Sequence, residues 1–166
     1  MSHSKNDRFT TELFQDKDSA EKAYQRAIDR GYNDKDINVI MSEDSRKKYY
    51  DSPLVKEGNK SVEGMGIGGA TGAAIGGIVG AIAAVGTSLA IPGLGLVIAG
   101  PLAAGLAGAG AGSITGGILG ALVGMGIPEE KAKDYEAGIN KGGIVLGVDE
   151  SKSDSDLRRD WQDYRK

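Results

Sequence analysis

The feature that most constrains this chain is a block of 65 residues, 64–128, that contains no Asp, Glu, Lys or Arg. The 20 basic and 23 acidic side chains of the chain all lie outside it, whereas 21 of the 27 glycines lie inside it. A block this long without charge has to be covered by protein or lipid. The sequence therefore predicts a charged, water-soluble frame interrupted by an apolar insert.

Glycine recurs at every fourth position in two parts of this block, a spacing that places the glycines on one face of a helix. Paired antiparallel, the two ladders face each other about a centre at Leu94, with Gly72 opposite Gly116. We therefore predict a long antiparallel glycine-zipper α-helical hairpin, with a second helix that begins at Pro101. Its turn is formed by Pro92, Gly93, Leu94 and Gly95. Its helix-packing residues are Gly64, Gly68, Gly72, Gly76, Gly80, Gly108, Gly112, Gly116, Gly120 and Gly124.

The frame has its own secondary-structure signals on both sides of the insert. Strands are predicted at residues 9–14, 37–41 and 144–148 from their β-branched and aromatic content. Helices are predicted after Asp18, after Ser42, from Pro128 as first helical residue, and after Asp154. Gly31 is placed just beyond the end of the first helix.

The order strand–helix–strand, insert, helix–strand predicts an α+β fold, namely a small split ferredoxin-like domain with its helices on one side of the sheet. The predicted units are residues 1–63 as the N-terminal half with a linker and 64–127 as the glycine-rich helical hairpin. Residues 128–148 form the C-terminal half, and 149–166 form a charged tail with a short helix. We expect the two halves to join into one domain.

Composition argues against catalysis. The chain has no cysteine, and its one histidine is His3 in a polar segment, so thiol, zinc–thiolate and histidine-based chemistry lack their residues. The near balance of charges gives no reason to expect nucleic acid as a partner. We predict no catalytic residues, no cofactor and no metal, the sequence indicates no known small-molecule ligand, and we do not expect an enzyme. The pairs Arg158-Arg159 and Lys47-Lys48 could contact lipid phosphates, although solvated helix faces explain them better.

Two environments can cover the outer faces of the predicted hairpin. Each arm is long enough for a bilayer core of about 30 Å, and the connection at its tip is itself apolar, which favours a tip held in lipid or protein. Residues 64–128 contain no Phe, Tyr or Trp, so the aromatic belts of typical membrane spans are missing. Burial of the hairpins between subunits of a soluble homo-oligomer therefore stays open as the alternative.

Three stretches carry a family resemblance: INVIMSEDSRKKYY, IPGLGLVIAGPLAAGLAGAGAG and GIPEEKAKDYEAGINKGGIVLGV. Together they resemble the bacterial general stress protein 17M-like domain family, whose members are described as heat-induced or low-temperature-induced stress proteins. The resemblance runs from about Phe9 to Val148. It implies a bacterial, stress-inducible protein with a split α+β domain and an apolar insert, and it implies no biochemical activity and no site residues.

These observations predict a non-enzymatic stress-response protein whose hairpin associates with the lipid bilayer and with itself. The α+β domain is expected in the cytosol at the cytoplasmic face of the inner membrane, since residues 1–18 lack a signal-peptide pattern. One alternative is a soluble, cytoplasmic, self-assembling scaffold, a ring, tube or filament, with hairpins buried between subunits. A weaker alternative is a small-ligand binding module on the sheet.

Overall fold

The computed structural model describes residues 9–50, 88–91, 93–104, 116–152 and 156–165. These residues form a mixed α+β fold, which confirms the predicted class, built on a five-stranded antiparallel sheet. The strands are β1 (Phe9–Phe14), β2 (Ile37–Ser42), β3 (Ser88–Ile91), β4 (Leu96–Ala99) and β5 (Ile144–Asp149). The helices are α1 (Lys17–Asp29), α2 (Glu43–Tyr50), α3 (Gly117–Gly124), α4 (Glu129–Asn140) and α5 (Leu157–Gln162), with short 3-10 turns at Asp34–Asp36 and Glu150–Lys152.

The sheet joins the two halves of the frame. Its strand order is β1-β5-β2-β4-β3, so β5, the last strand of the chain, lies between β1 and β2. Ile144 pairs with Phe14 on one side and with Met41 on the other. The strands of the two halves therefore share one sheet.

Two hydrophobic cores cover the two faces of the sheet. The first core packs α1 and α5 against Ile37, Val39 and Met41 of β2. The second core packs α3 and α4 against the opposite face, where Ile40 of β2 and Val145 of β5 lie. Successive residues of a strand point to opposite faces, so the middle strands are buried on both sides.

The prediction of helices on one side of the sheet is therefore wrong, and the ferredoxin-like arrangement is not confirmed. The first strand, β1, stands at one edge of the sheet. The missed signal is the lack of alternation in these strands: IVLGV is apolar throughout and INVIM is apolar apart from Asn38, as is typical of strands covered on both faces.

Local capping signals were predicted close to their observed positions. The N-cap of α1 is Asp16 instead of Asp18, because the Asp16 carboxylate accepts the backbone N–H of Ser19 at 2.8 Å. In the same way α5 is capped by Asp156 instead of Asp154. An aspartate two residues away offers the same chemistry, so sequence alone does not rank them.

Other caps agree with the sequence more closely. The Ser42 hydroxyl accepts the backbone N–H of Ser45 at 3.0 Å and so caps α2 as predicted. Gly31 follows α1 with φ +94°, as predicted for a residue beyond the helix end. Pro128 is the residue before α4 instead of its first residue, and Glu129 and Glu130 occupy the first turn.

The C-terminal helix α5 is part of the first core. The Trp161 ring is fully buried and meets Phe14 edge-to-face, with ring centroids 5.9 Å apart. The indole N–H of Trp161 donates to the backbone oxygen of Ala23 in α1 at 2.9 Å. Beside it the Asp160 carboxylate pairs with Arg26 at 3.0 Å. The tail therefore closes the domain over α1.

Candidate functional site

The centre of the charge-free block is a β-hairpin. Strands β3 and β4 pair antiparallel, with Ile91 opposite Leu96, and residues 93–95 form the turn between them. The N–H of Leu94 donates to the oxygen of Ile91 at 3.2 Å. The predicted turn residues Gly93, Leu94 and Gly95 do lie in a turn, centred half a residue from the predicted centre, while Pro92 lies outside the described residues. The connection expected between helices is thus made of two strands.

This β-hairpin is built into the sheet of the frame. β4 pairs with β2, with Val39 opposite Ala99 and Ser42 opposite Leu96. All four side chains of β4 are buried, alternately in the first and the second core. Strand β4, which is part of the apolar insert, is therefore buried within the domain.

A polar contact fixes the chain where it leaves β4. Gly100 has φ +103°, and residues 101–104 are helical. The buried side chain of Asn38 accepts the N–H of Leu102 at 2.8 Å and donates to the backbone oxygen of Gly147 at 3.2 Å. Asn38 thereby links β2, β5 and the start of this helical turn with both ends of its amide satisfied.

The predicted continuous second helix is wrong. Gly116 and Gly117 have φ values of +115° and +67°, and α3 begins only at Gly117. Gly116 therefore lies outside the helix, as its N-cap, and is not a rung of a helical ladder. Gly120 and Gly124 lie in α3.

The other seven predicted packing glycines fall outside the described residues, so the glycine zipper is not shown. They are Gly64, Gly68, Gly72, Gly76, Gly80, Gly108 and Gly112.

Gly124 offers a direct test of close helix packing. No atom of the described residues lies within 4 Å of the position that a Cβ would take there. We expect Gly124→Ala to raise the free energy of unfolding by about 0.5–1 kcal/mol, because alanine loses less backbone entropy in a helix. Urea denaturation followed by circular dichroism measures this change.

The matched control is Gly126→Ala. Gly126 also has open space around it but has φ +89°, so alanine there is strained and should lower stability by about 1 kcal/mol. A destabilising Gly124→Ala would instead indicate a backbone packed tightly against this helix.

Helix α3 carries apolar side chains that are exposed or only partly buried. Val123 is 43% exposed and is the exposed large hydrophobic side chain among the described residues. Ile118 and Leu119 are partly buried against the second core. No helix in the described ranges is both long and apolar enough to cross a membrane.

A cavity of about 360 Å³ lies at the edge of the sheet, astride β1 and between α4 and α5. We call it the edge cavity. Residues of β1 form its floor, and polar side chains of the two helices form its walls. Its lining residues are Thr11, Glu12, Leu13, Gln15, Lys131, Asp134, Tyr135, Arg158, Gln162 and Arg165.

The floor of the edge cavity is rigidly hydrogen-bonded. The Tyr135 hydroxyl donates to the backbone oxygen of Thr11 at 2.8 Å. Burial raises the pKa of Tyr135 to about 12, so its phenol is neutral and a donor at physiological pH. Glu12 is 8% exposed, and its carboxylate pairs with Arg165 at 2.8 Å.

The walls carry cations that have no carboxylate partner in the described part of the chain. Lys131 of α4 makes no ion pair there, whereas its neighbour Lys133 pairs with Glu129 at 2.9 Å. Arg158 of α5 donates to the Thr10 hydroxyl at 3.3 Å and makes no ion pair with the described residues, whereas Arg159 pairs with Asp156 at 3.8 Å. Sequence reasoning treated Arg158 and Arg159 alike, since their difference depends on where β1 lies.

A second cavity of about 340 Å³ lies where α2, the β-hairpin turn and the end of α4 meet. Its walls include Ser42, Ser45 and Tyr49, and the Ser42 hydroxyl lies 2.8 Å from that of Ser45. These two hydroxyls hydrogen-bond to each other and to the start of α2.

Neither the grouping of metal-ligating side chains nor the comparison with known proteins indicates a further site. Within the described ranges no three His, Cys, Asp or Glu side chains are grouped so that they could hold a metal ion. Comparison of the chain with family models, curated proteins and solved structures gave no match.

Proposed function

We propose that this chain is a non-enzymatic, membrane-associated protein in which the α/β domain remains in water and the charge-free residues 64–87 enter the lipid bilayer. The observation that carries the proposal is the composition of this segment. It has 24 residues without a charge, and its large side chains are all aliphatic or Met. Both ends of the segment lead to the same domain, through α2 and β3, so the segment enters and leaves the bilayer on one side, as a re-entrant segment.

The architecture of the domain supports this assignment. Helices α1 and α5 cover one face of the sheet, and α3 and α4 cover the other. The described domain therefore leaves little apolar sheet surface on which the aliphatic side chains of residues 64–87 could pack. We propose that lipid surrounds these side chains instead. The glycines of the segment would allow helices to approach each other closely within the bilayer.

The resemblance to the general stress protein 17M-like family adds a physiological setting. On that basis we propose a bacterial stress-response role at the cytoplasmic face of the inner membrane. The segment would act there as a structural anchor, with no chemical step.

Vesicle flotation tests the proposal. The full-length chain is mixed with vesicles of phosphatidylcholine and phosphatidylglycerol and centrifuged through a density gradient at high salt. We expect most of the protein to float. Ile78→Asp should reduce the floating fraction at least about tenfold, because an acid in the bilayer core costs about 2.5–3.5 kcal/mol.

The matched control is Val123→Asp, which makes the same change of charge on the exposed face of α3. It should float like the unchanged protein. A wild-type chain that stays at the bottom of the gradient without detergent would contradict membrane association.

Self-assembly in water is the second candidate, and the exposed Val123 beside Gly124 on α3 favours it as a surface for another copy. Light scattering without detergent separates the two. A large, monodisperse particle that does not float would support the soluble scaffold, and a non-floating monomer would exclude both.

A further inference from the structure

The edge cavity has the size and the donors of a small-ligand site. Its volume of about 360 Å³ is at the lower end of ligand pockets, which span about 300–1,000 Å³. Its walls come from two helices on opposite faces of the sheet, α4 and α5, and both contact the same edge strand. Contacts that hold the floor rigid make such a site preorganised.

The charge distribution of the cavity favours an anion. Three cations line it, Lys131, Arg158 and Arg165, against two carboxylates, Glu12 and Asp134. Arg165 neutralises the buried Glu12, so Lys131 and Arg158 remain with their charge uncompensated by an ion pair within the described chain. An oxyanion between them would gain charge-assisted hydrogen bonds from both sides.

The position of Arg158 suits this role. One of its terminal nitrogens is occupied by the Thr10 hydroxyl at 3.3 Å, which fixes the guanidinium at the rim of the cavity. A guanidinium has five N–H donors, so donors remain for a ligand. The exposed amides of Gln15 and Gln162 line the same cavity and can add further hydrogen bonds.

Asp134 adds a second feature that selects the class of ligand. It lies on α4 one turn from Lys131, is exposed, and lines the same cavity. A carboxylate next to the cations disfavours a bare multivalent anion and favours a ligand that brings a hydroxyl or amino group beside its anionic group.

From this arrangement we infer that the edge cavity binds a small phosphorylated alcohol or amino alcohol. Lys131 and Arg158 hold the phosphate, and Asp134 accepts a hydrogen bond from the hydroxyl or amino group. The ligand is either a free compound or the headgroup of a phospholipid, since both present this chemistry. The inference does not depend on membrane association, because the cavity belongs entirely to the α/β domain.

Calorimetric titration of the full-length chain with glycerol phosphate tests the inference. We expect saturable binding with a dissociation constant of about 1 mM or tighter, and no heat of binding for uncharged glycerol. Lys131→Gln and Arg158→Gln should each weaken binding about tenfold, whereas Arg158→Lys should retain part of it, because lysine keeps the charge but loses the fork of donors.

The chain provides two matched controls. Lys133→Gln and Arg159→Gln remove the same charge from the same helices, but these side chains do not line the cavity. Both should bind glycerol phosphate like the unchanged protein. Equal weakening in all four glutamine variants would overturn the inference, because it would show a diffuse electrostatic attraction instead of a site.

Vesicles separate the two sources of the phosphate. Binding of glycerol phosphate in solution assigns a free compound. Binding confined to phosphatidylglycerol vesicles, reduced by Arg158→Gln and not by Arg159→Gln, assigns the headgroup, and no binding in either arm overturns the site. Ile78→Asp should leave the titration with glycerol phosphate unchanged, so the site and the proposed membrane segment can fail independently.

Discussion

Replacing Trp161 by alanine is expected to lower the free energy of unfolding by about 3–5 kcal/mol, the range for truncating a large buried aromatic side chain. The indole is fully buried, contacts the Phe14 ring edge-to-face, and donates its N–H to Ala23 in α1. Its removal leaves a cavity and deletes the hydrogen bond that joins α5 to α1. Urea denaturation followed by circular dichroism measures the loss.

Two further variants make this result specific. Gln162→Ala, next along the same helix and exposed, should change stability by less than about 0.5 kcal/mol. Trp161→Phe should fall between the two, since it keeps part of the volume but loses the hydrogen bond. If Trp161→Ala left the denaturation midpoint unchanged, the tail helix would not be part of the first core.

The second large effect is expected at Gly100. Gly100→Ala should lower the free energy of unfolding by about 2–4 kcal/mol, which combines backbone strain with overpacking. The residue has φ +103°, and a Cβ there would collide with the backbone oxygen of Ile37 and lie 2.9 Å from the Asn38 side-chain oxygen. Neither atom can retreat, because both belong to β2 in the middle of the sheet.

Gly31→Ala separates strain from collision. Gly31 has a similar φ of +94° but no described atom within 4 Å of an added Cβ, so alanine there should cost about 1–2 kcal/mol from strain alone. Thermal denaturation of both variants gives the comparison. Equal losses of stability in the two variants would mean that the close contact of Gly100 with Ile37 and Asn38 does not contribute to the effect.

The frame was predictable because its signals are local. The β-branched run of β2 and the Ser42 cap of α2 lie within a few residues of the structure they specify. The glycine beyond α1 and the acidic first turn of α4 are equally local. Where the observed cap lies two residues from the predicted one, as Asp16 does, the two neighbouring side chains are chemically equivalent.

The charge-free block shows the limit of local reasoning. Its glycine spacing predicted two helices with an apolar connection between them, yet LVIA at residues 96–99 in that connection is a strand, because β2 offers it an unpaired edge and both cores receive its side chains. β-structure depends on such partners more than helix does. The turn at residues 93–95 was nevertheless predictable, since glycine-rich turn chemistry serves two strands as well as two helices.

The edge cavity could not be predicted from sequence at all. It combines β1 with Lys131 and Arg158, which lie more than a hundred residues further along the chain. Composition and short-range pattern determined the elements of the frame and the position of the turn, because capping, φ preference and apolar runs act over a few residues. Tertiary pairing decided that residues 88–91 and 96–99 are strands, that position 100 requires glycine, and which cations line one cavity. Each of these depends on strands that become neighbours only in the folded sheet.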